Sequence, residues 1–117
     1  MGVSKSRARD AAKTRLSADI VGYSLGVASA EIFADGKGTP ESAFARQVAM
    51  YLCYTAFEIS LARVAVAFER DRSTVSHACH RIEDRRDEPQ FDRWIESLEV
   101  MARRAPLDAS VSQSVRP

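Results

Sequence analysis

Apolar positions recur along this chain at close to a 3.6-residue period, the spacing of one face of an α-helix. Between Ser17 and Ala34 the period is carried by Ile20, Tyr23 or Ser24, Val27, Ala28 and Ile32. This predicts a first helix, with Ser17 and Asp19 suited to its first turn and Gly22 and Gly26 weakening it. Asp35-Gly36-Lys37-Gly38 and Thr39-Pro40 then favour a loop. From Glu41 to about Phe57 the helical spacing returns through Phe44, Val48, Tyr51, Leu52 and Thr55, with Pro40 where a first-turn donor is free anyway. Ser60 is suited to cap a short helix carrying Leu61, Val64, Ala65 and Phe68 at i, i+3, i+4 and i+7. Asp71 is suited to cap the next, in which Val75, Ala78, Cys79 and Ile82 repeat that spacing. A last helix from about Pro89 to Arg103 places Phe91, Trp94 or Ile95, Leu98 and Met101 or Ala102 inward.

Strand signals are absent, so the expected fold is all-α: a small bundle of about five helices. The two short stripes on either side of Glu69-Arg70 predict a helix-turn-helix, with small Ala65 and Ala78 allowing a close crossing. The outward face of its second helix then presents Ser73, Thr74, Ser76, His77, His80 and Arg81, polar side chains able to reach base edges. Val66 falls on the more exposed side of its own stripe and is a candidate partner contact.

Composition narrows the class. A chain of 117 residues with 45% hydrophobic and 28% charged residues builds one globular core, which excludes a collagen-like repeat, wholesale disorder and a disulfide scaffold. The boundaries read as a flexible basic arm over 1–15, a helical domain over 16–103 and a disordered tail over 104–117. No apolar run approaches the roughly 20 residues of a membrane span, and the basic N-terminal stretch lacks the apolar centre of a signal peptide. A cytoplasmic protein with no membrane partner is expected, with Cys53 and Cys79 as reduced, buried thiols.

The net charge of +1 hides an uneven distribution. Lys5, Arg7, Arg9, Lys13 and Arg15 oppose only Asp10 in the arm, whereas Asp19, Glu31, Asp35 and Glu41 oppose Lys37 in the segment that follows. Such an arm suits phosphate or an acidic protein. His77, Cys79 and His80 do not make a zinc site, because on a helix the two histidines share a face from which Cys79 points away. No nucleophile, base and orienting group converge, so no enzyme, metal or cofactor is expected.

Two blocks carry a more specific signal. They are Ala45-Arg46-Gln47-Val48-Ala49-Met50-Tyr51-Leu52 and Phe68-Glu69-Arg70-Asp71-Arg72-Ser73-Thr74-Val75-Ser76-His77-Ala78-Cys79-His80-Arg81-Ile82. In both, the sequence resembles the C-terminal DNA-binding domain of the bacterial replication initiator DnaA, which reads approximately A-R-Q-I-A-M-Y-L and then F-G-G-R-D-H-T-T-V-x-H-A-C-x-K-I. The stretch Ser60 to Phe68 fits between them without a gap, and the likeness covers roughly residues 20 to 100. The resemblance implies that Arg46 enters the minor groove of double-stranded DNA and that Arg70, Asp71, Arg72, Ser73 and Thr74 open a recognition helix in the major groove, with His77 and Arg81 further along the same helix.

Departures limit what carries over. One glycine of the family's G-G turn is missing and Glu69 takes the place of the other, while Arg72 replaces the family histidine with a side chain that prefers guanine O6 and N7. The loop before the A-R-Q block is nearly neutral, which gives the 1–15 arm a role as the replacement phosphate contact. There is no G-x-x-x-x-G-K-[ST] phosphate loop, so no nucleotide is expected to bind. The resulting expectation is a stand-alone, nucleoid-associated, sequence-specific DNA-binding protein that regulates transcription or replication initiation. The alternative is a protein-interaction module on the same fold that engages another protein through its basic arm or a helical face.

Overall fold

The computed structural model describes residues 2–36 and 38–106, and among these it forms six helices. Helix α1 (Gly2–Leu25) begins far earlier than the hydrophobic period indicates, so that residues 2–15, where an arm is expected, are helical. The reason is that its inward stripe is largely polar. Asp10, Thr14, Ser17, Ala18 and Val21 are all buried at helical spacing, and the polar three have partners. The Asp10 carboxylate accepts from Arg63 Nε at 2.9 Å and Nη2 at 2.5 Å, while the buried Cys53 thiol meets Ser17 Oγ at 3.4 Å. A stripe of small polar residues gives no hydropathy signal, although it packs as a core face.

The single helix expected over 17–34 is divided. Gly26 takes φ 72°, and the Val27 N–H closes back on the Gly22 carbonyl at 2.9 Å. A Cβ on Gly22 would stand 2.4 Å from the Val27 oxygen, so this reversal requires a glycine there. A separate α2 (Ser29–Phe33) follows and buries Ile32. Because the break re-aims the chain, Tyr23, Ser24 and Ala28 are exposed instead of sharing the inward face.

Helix α3 (Pro40–Thr55) is central, packing against every other helix of the bundle. Its start is a reciprocal cap: Ser42 N–H donates to Thr39 Oγ1 and Thr39 N–H donates to Ser42 Oγ, both at 3.0 Å, with Pro40 at the first helical position as expected. Val48, Ala49, Leu52 and Cys53 are fully buried. Helix α4 (Leu61–Phe68) is capped by Ser60, whose hydroxyl accepts from the Arg63 N–H at 3.3 Å. Helix α5 (Arg72–Arg85) buries the expected Val75, Ala78, Cys79 and Ile82.

Helix α6 (Pro89–Arg104) resolves two open choices in favour of Ile95 and Ala102 as the buried members. Trp94 is half-buried, stacked on Phe44 with its indole N–H donating to Ser24 Oγ at 2.9 Å, and Met101 is exposed. Arg104 closes this helix, and the tail beyond residue 106 lies outside the described residues. No described helix is long and apolar enough to cross a membrane.

Candidate nucleic-acid interface

The helix-turn-helix is made by α4 and α5, and its turn depends on Glu69. This residue adopts φ 56°, ψ 47°, the left-handed conformation usual for glycine after a helix, and its N–H bonds back to the Ala65 and Val66 carbonyls. The Arg70 N–H closes on Ala65 O at 3.0 Å. The turn therefore closes without the glycines that the resemblance leads one to expect, with a non-glycine residue held in a conformation that costs about 1 kcal/mol or more.

Asp71, Arg72, Ser73 and Thr74 are all exposed where α5 begins. Asp71 occupies the N-cap position in extended conformation, but its carboxylate makes no capping hydrogen bond, contrary to the expectation that it caps the helix. The first-turn N–H groups and the positive end of the helix dipole thus stay open to an anion. One and two turns on, His77 and Arg81 follow Thr74 along one face. That face and α3 enclose an open concavity of about 590 Å³ lined by Arg46, Gln47, Arg70, Thr74, His77 and Arg81, among others.

Asp71, Arg72 and Ser73 lie outside this concavity. The polar face of α5 also divides. Ser76 and His80 lie on its other flank, linked by His80 Nδ1 to the Ser76 carbonyl at 2.9 Å, beside Tyr51, Tyr54 and Cys79. Cys79 itself is buried, and burial pushes its thiol up to about 11. Among the described residues no three His, Cys, Asp or Glu side chains converge as a metal site.

Arg46, which the resemblance assigns to the minor groove, borders the same concavity. It lies within the buried part of the molecule, with only 7% of its surface exposed. Its Nε donates to the Ile32 carbonyl at 2.8 Å and its Nη2 to the Glu31 carbonyl at 3.3 Å. Arg70 does the same next door, donating from Nη2 to Ala34 O at 2.9 Å and Gly36 O at 3.2 Å, and from Nη1 to Phe68 O at 3.2 Å. The two arginines supply donors to the Ile32, Ala34 and Gly36 carbonyls at and beyond the end of the short α2, while Glu31 O accepts from the Ala34 N–H as well as from Arg46. Burial, and behind it the charge of Arg70, draws the Arg46 pKa down from its ordinary value.

Sequence reasoning passed over Gln47 as a site residue, although it stands in the quoted A-R-Q block. It faces the concavity one residue after Arg46. Its signal was adjacency to a motif residue on α3, which a reading of α5 alone does not weigh.

Comparison with known proteins agrees with the helix-turn-helix. The family model described as bacterial dnaA protein helix-turn-helix matches residues 18–82. The chromosomal replication initiator protein DnaA of Lachnoclostridium phytofermentans is 33% identical over 82 residues, covering 68% of this chain and 18% of that protein. A crystal structure of a DNA replication initiation factor superposes with TM-score 0.77 at 28% identity, over 87% of this chain and 32% of that one. A structure of replication initiator DnaA bound to AMPPCP and single-stranded DNA gives TM-score 0.74 at 28% identity, over 87% and 31%. The chain thus spans less than a third of the length of each of these relatives.

Proposed function

Because the chain belongs to the bacterial DnaA helix-turn-helix family, we propose that it binds double-stranded DNA sequence-specifically, with the first turns of α5 in the major groove. The observation that carries this reading is the exposed, uncapped start of α5, where Arg72, Ser73 and Thr74 offer donors and acceptors beside the cationic concavity. Arg72 and Ser73 project outside the concavity and read base edges. Thr74, His77 and Arg81, along its wall, seat a backbone phosphate. Arg46 and Arg70 line the same concavity while they hold α2 and the loop after it, and so add positive charge beside the phosphate seat. Binding of this kind serves regulation of transcription or of replication initiation in the nucleoid and involves no catalytic step.

The second reading, a protein-interaction module that has lost specific DNA binding, draws on Arg46 and Arg70 already being engaged by backbone carbonyls. Gel-shift titration with a DnaA-box duplex against a scrambled duplex separates the two. The DNA reading expects preference for the box, and equal affinity for both duplexes overturns specificity. On a panel of boxes varied position by position, Arg72→His is expected to move the base preference at one or two neighbouring positions by about 1 to 3 kcal/mol. Uniform weakening across the panel reassigns Arg72 to the phosphate backbone.

A further inference from the structure

A second concavity, of about 690 Å³, lies between the N-terminal half of α1 and the outer face of α4, away from the α3–α5 surface. Its lining is mostly apolar, with Ala11, Phe33, Val66 and Ala67 contributing, and Val66 is 64% exposed at its edge. Val66 is the outward valine of a helix whose inward positions, Val64, Ala65 and Phe68, are already buried against the bundle. An exposed branched apolar side chain bordering an apolar hollow leaves surface that association with another apolar surface would remove from water.

The charges around the hollow have one sign to spare. Arg7, Arg15 and Arg63 are set against Asp10, and Asp10 is taken up by both guanidinium nitrogens of Arg63. Arg7 and Arg15 have no salt-bridge partner among the described residues. They stand eight residues apart on α1, about 12 Å along its axis, with Ala11 midway between them. Outer charges with an apolar centre match an amphipathic helix that carries carboxylates about two turns apart on either side of an apolar stripe. Nucleic acid is the poorer match, since a phosphate backbone paired with the arginines would leave the apolar floor and Val66 in water.

We propose that the α1–α4 hollow is a docking site for an acidic amphipathic helix of a partner protein, with Val66 seated in the partner's apolar stripe and Arg7 and Arg15 pairing with its carboxylates. Because α5 and the α3–α5 concavity take no part, the chain holds this partner and duplex DNA at the same time.

The test is selection of a randomised helical-peptide display library on the full chain, run in parallel on the variants Val66→Glu and Arg7→Glu/Arg15→Glu. All three proteins are first checked for unchanged circular dichroism and melting temperature, which exposed positions are expected to preserve. The proposal expects enriched peptides with two acidic positions seven or eight apart flanking apolar residues, and at least tenfold weaker binding of those peptides to either variant. It further expects their NMR perturbations to map to residues 6–15 and 63–67, undiminished by saturating duplex. Failure of the library to enrich on the chain above the Val66→Glu variant overturns it, as does enrichment of peptides without acidic residues. Duplex DNA displacing the peptide, or itself perturbing the hollow, reassigns the site to nucleic acid. Self-association in sedimentation that Val66→Glu abolishes reassigns it to a second copy of the chain.

Discussion

Arg46 shows how one side chain changes meaning when its surroundings are known. In the motif it is a candidate for the minor groove, yet in the fold it donates to the Glu31 and Ile32 carbonyls from a buried position. Hydrogen bonds from charged donors contribute about 1.5 to 3 kcal/mol each when their loss leaves buried acceptors bare. Arg46→Ala is therefore expected to lower unfolding free energy by about 2 kcal/mol in urea titration, with Arg46→Lys recovering only part because it lacks the planar fork. An unchanged denaturation midpoint for Arg46→Ala would return the residue to a purely DNA-facing role. Glu69 makes the opposite case. Its left-handed backbone is strained for any residue with a Cβ, so Glu69→Gly is expected to raise stability by roughly 1 kcal/mol, read as a higher melting temperature.

At the scale of helices, the junction of α3, α5 and α6 is held by a polar cluster centred on Arg86. Its Nε donates to Asp92 at 2.5 Å, and its Nη1 to Glu99 and to the Tyr51 hydroxyl, each at 3.1 Å. Thr55 also donates to Glu99 at 2.7 Å, and Tyr51 donates to Glu83. Burial alone would lower the Arg86 pKa, but the hydrogen bonds to Tyr51 and Asp92 and the charge of Glu99 outweigh it and raise it. Glu99 is only 5% exposed, so removing its cation strands a carboxylate away from water. Arg86→Met is expected to cost about 3 kcal/mol in chemical denaturation, and adding Glu99→Gln is expected to return part of that loss. Additive losses in the double variant would show that the two side chains do not act as a pair.

For the whole molecule, buried neutral acids set the alkaline limit of stability. Burial pushes Cys53 and Cys79 each up to about 11 from an ordinary value of 9.0, and burial together with a hydrogen bond to Glu83 pushes Tyr51 up to about 12 from 10.0. The folded chain keeps these protons at a pH where the unfolded chain releases them, so unfolding is favoured as pH rises. Their contribution is fully present below pH 9 and is lost between about pH 9 and 12, the cysteines leading. Denaturant midpoints measured from pH 8 to 11 are expected to fall, and to fall less steeply in a Cys53→Ala/Cys79→Ala variant. A parallel slope in that variant would remove the thiols from the account.

Local pattern was enough to determine the helix-turn-helix. Val64, Ala65, Phe68, Val75, Ala78, Cys79 and Ile82 are apolar at helical spacing and are buried, because each short helix hides its one stripe whatever its neighbours do. Ser60 and Pro40 marked helix starts for equally local reasons. The exposed start of α5 followed from the same stripes, since burying them turns Arg72, Ser73 and Thr74 outward. Only tertiary structure decided the rest. The first fifteen residues lack an apolar face, and their burial of Asp10 depends on Arg63, 53 positions away, which no window along the chain contains. Arg46 and Arg70 are buried or held by carbonyls of α2 and its following loop, and that arrangement exists only because the Gly22–Gly26 reversal brings the short helix back against α3. A charged side chain carries no mark in sequence of whether it meets water, a nucleic acid or the molecule's own backbone, because its preference is set by the partners that folding places within reach.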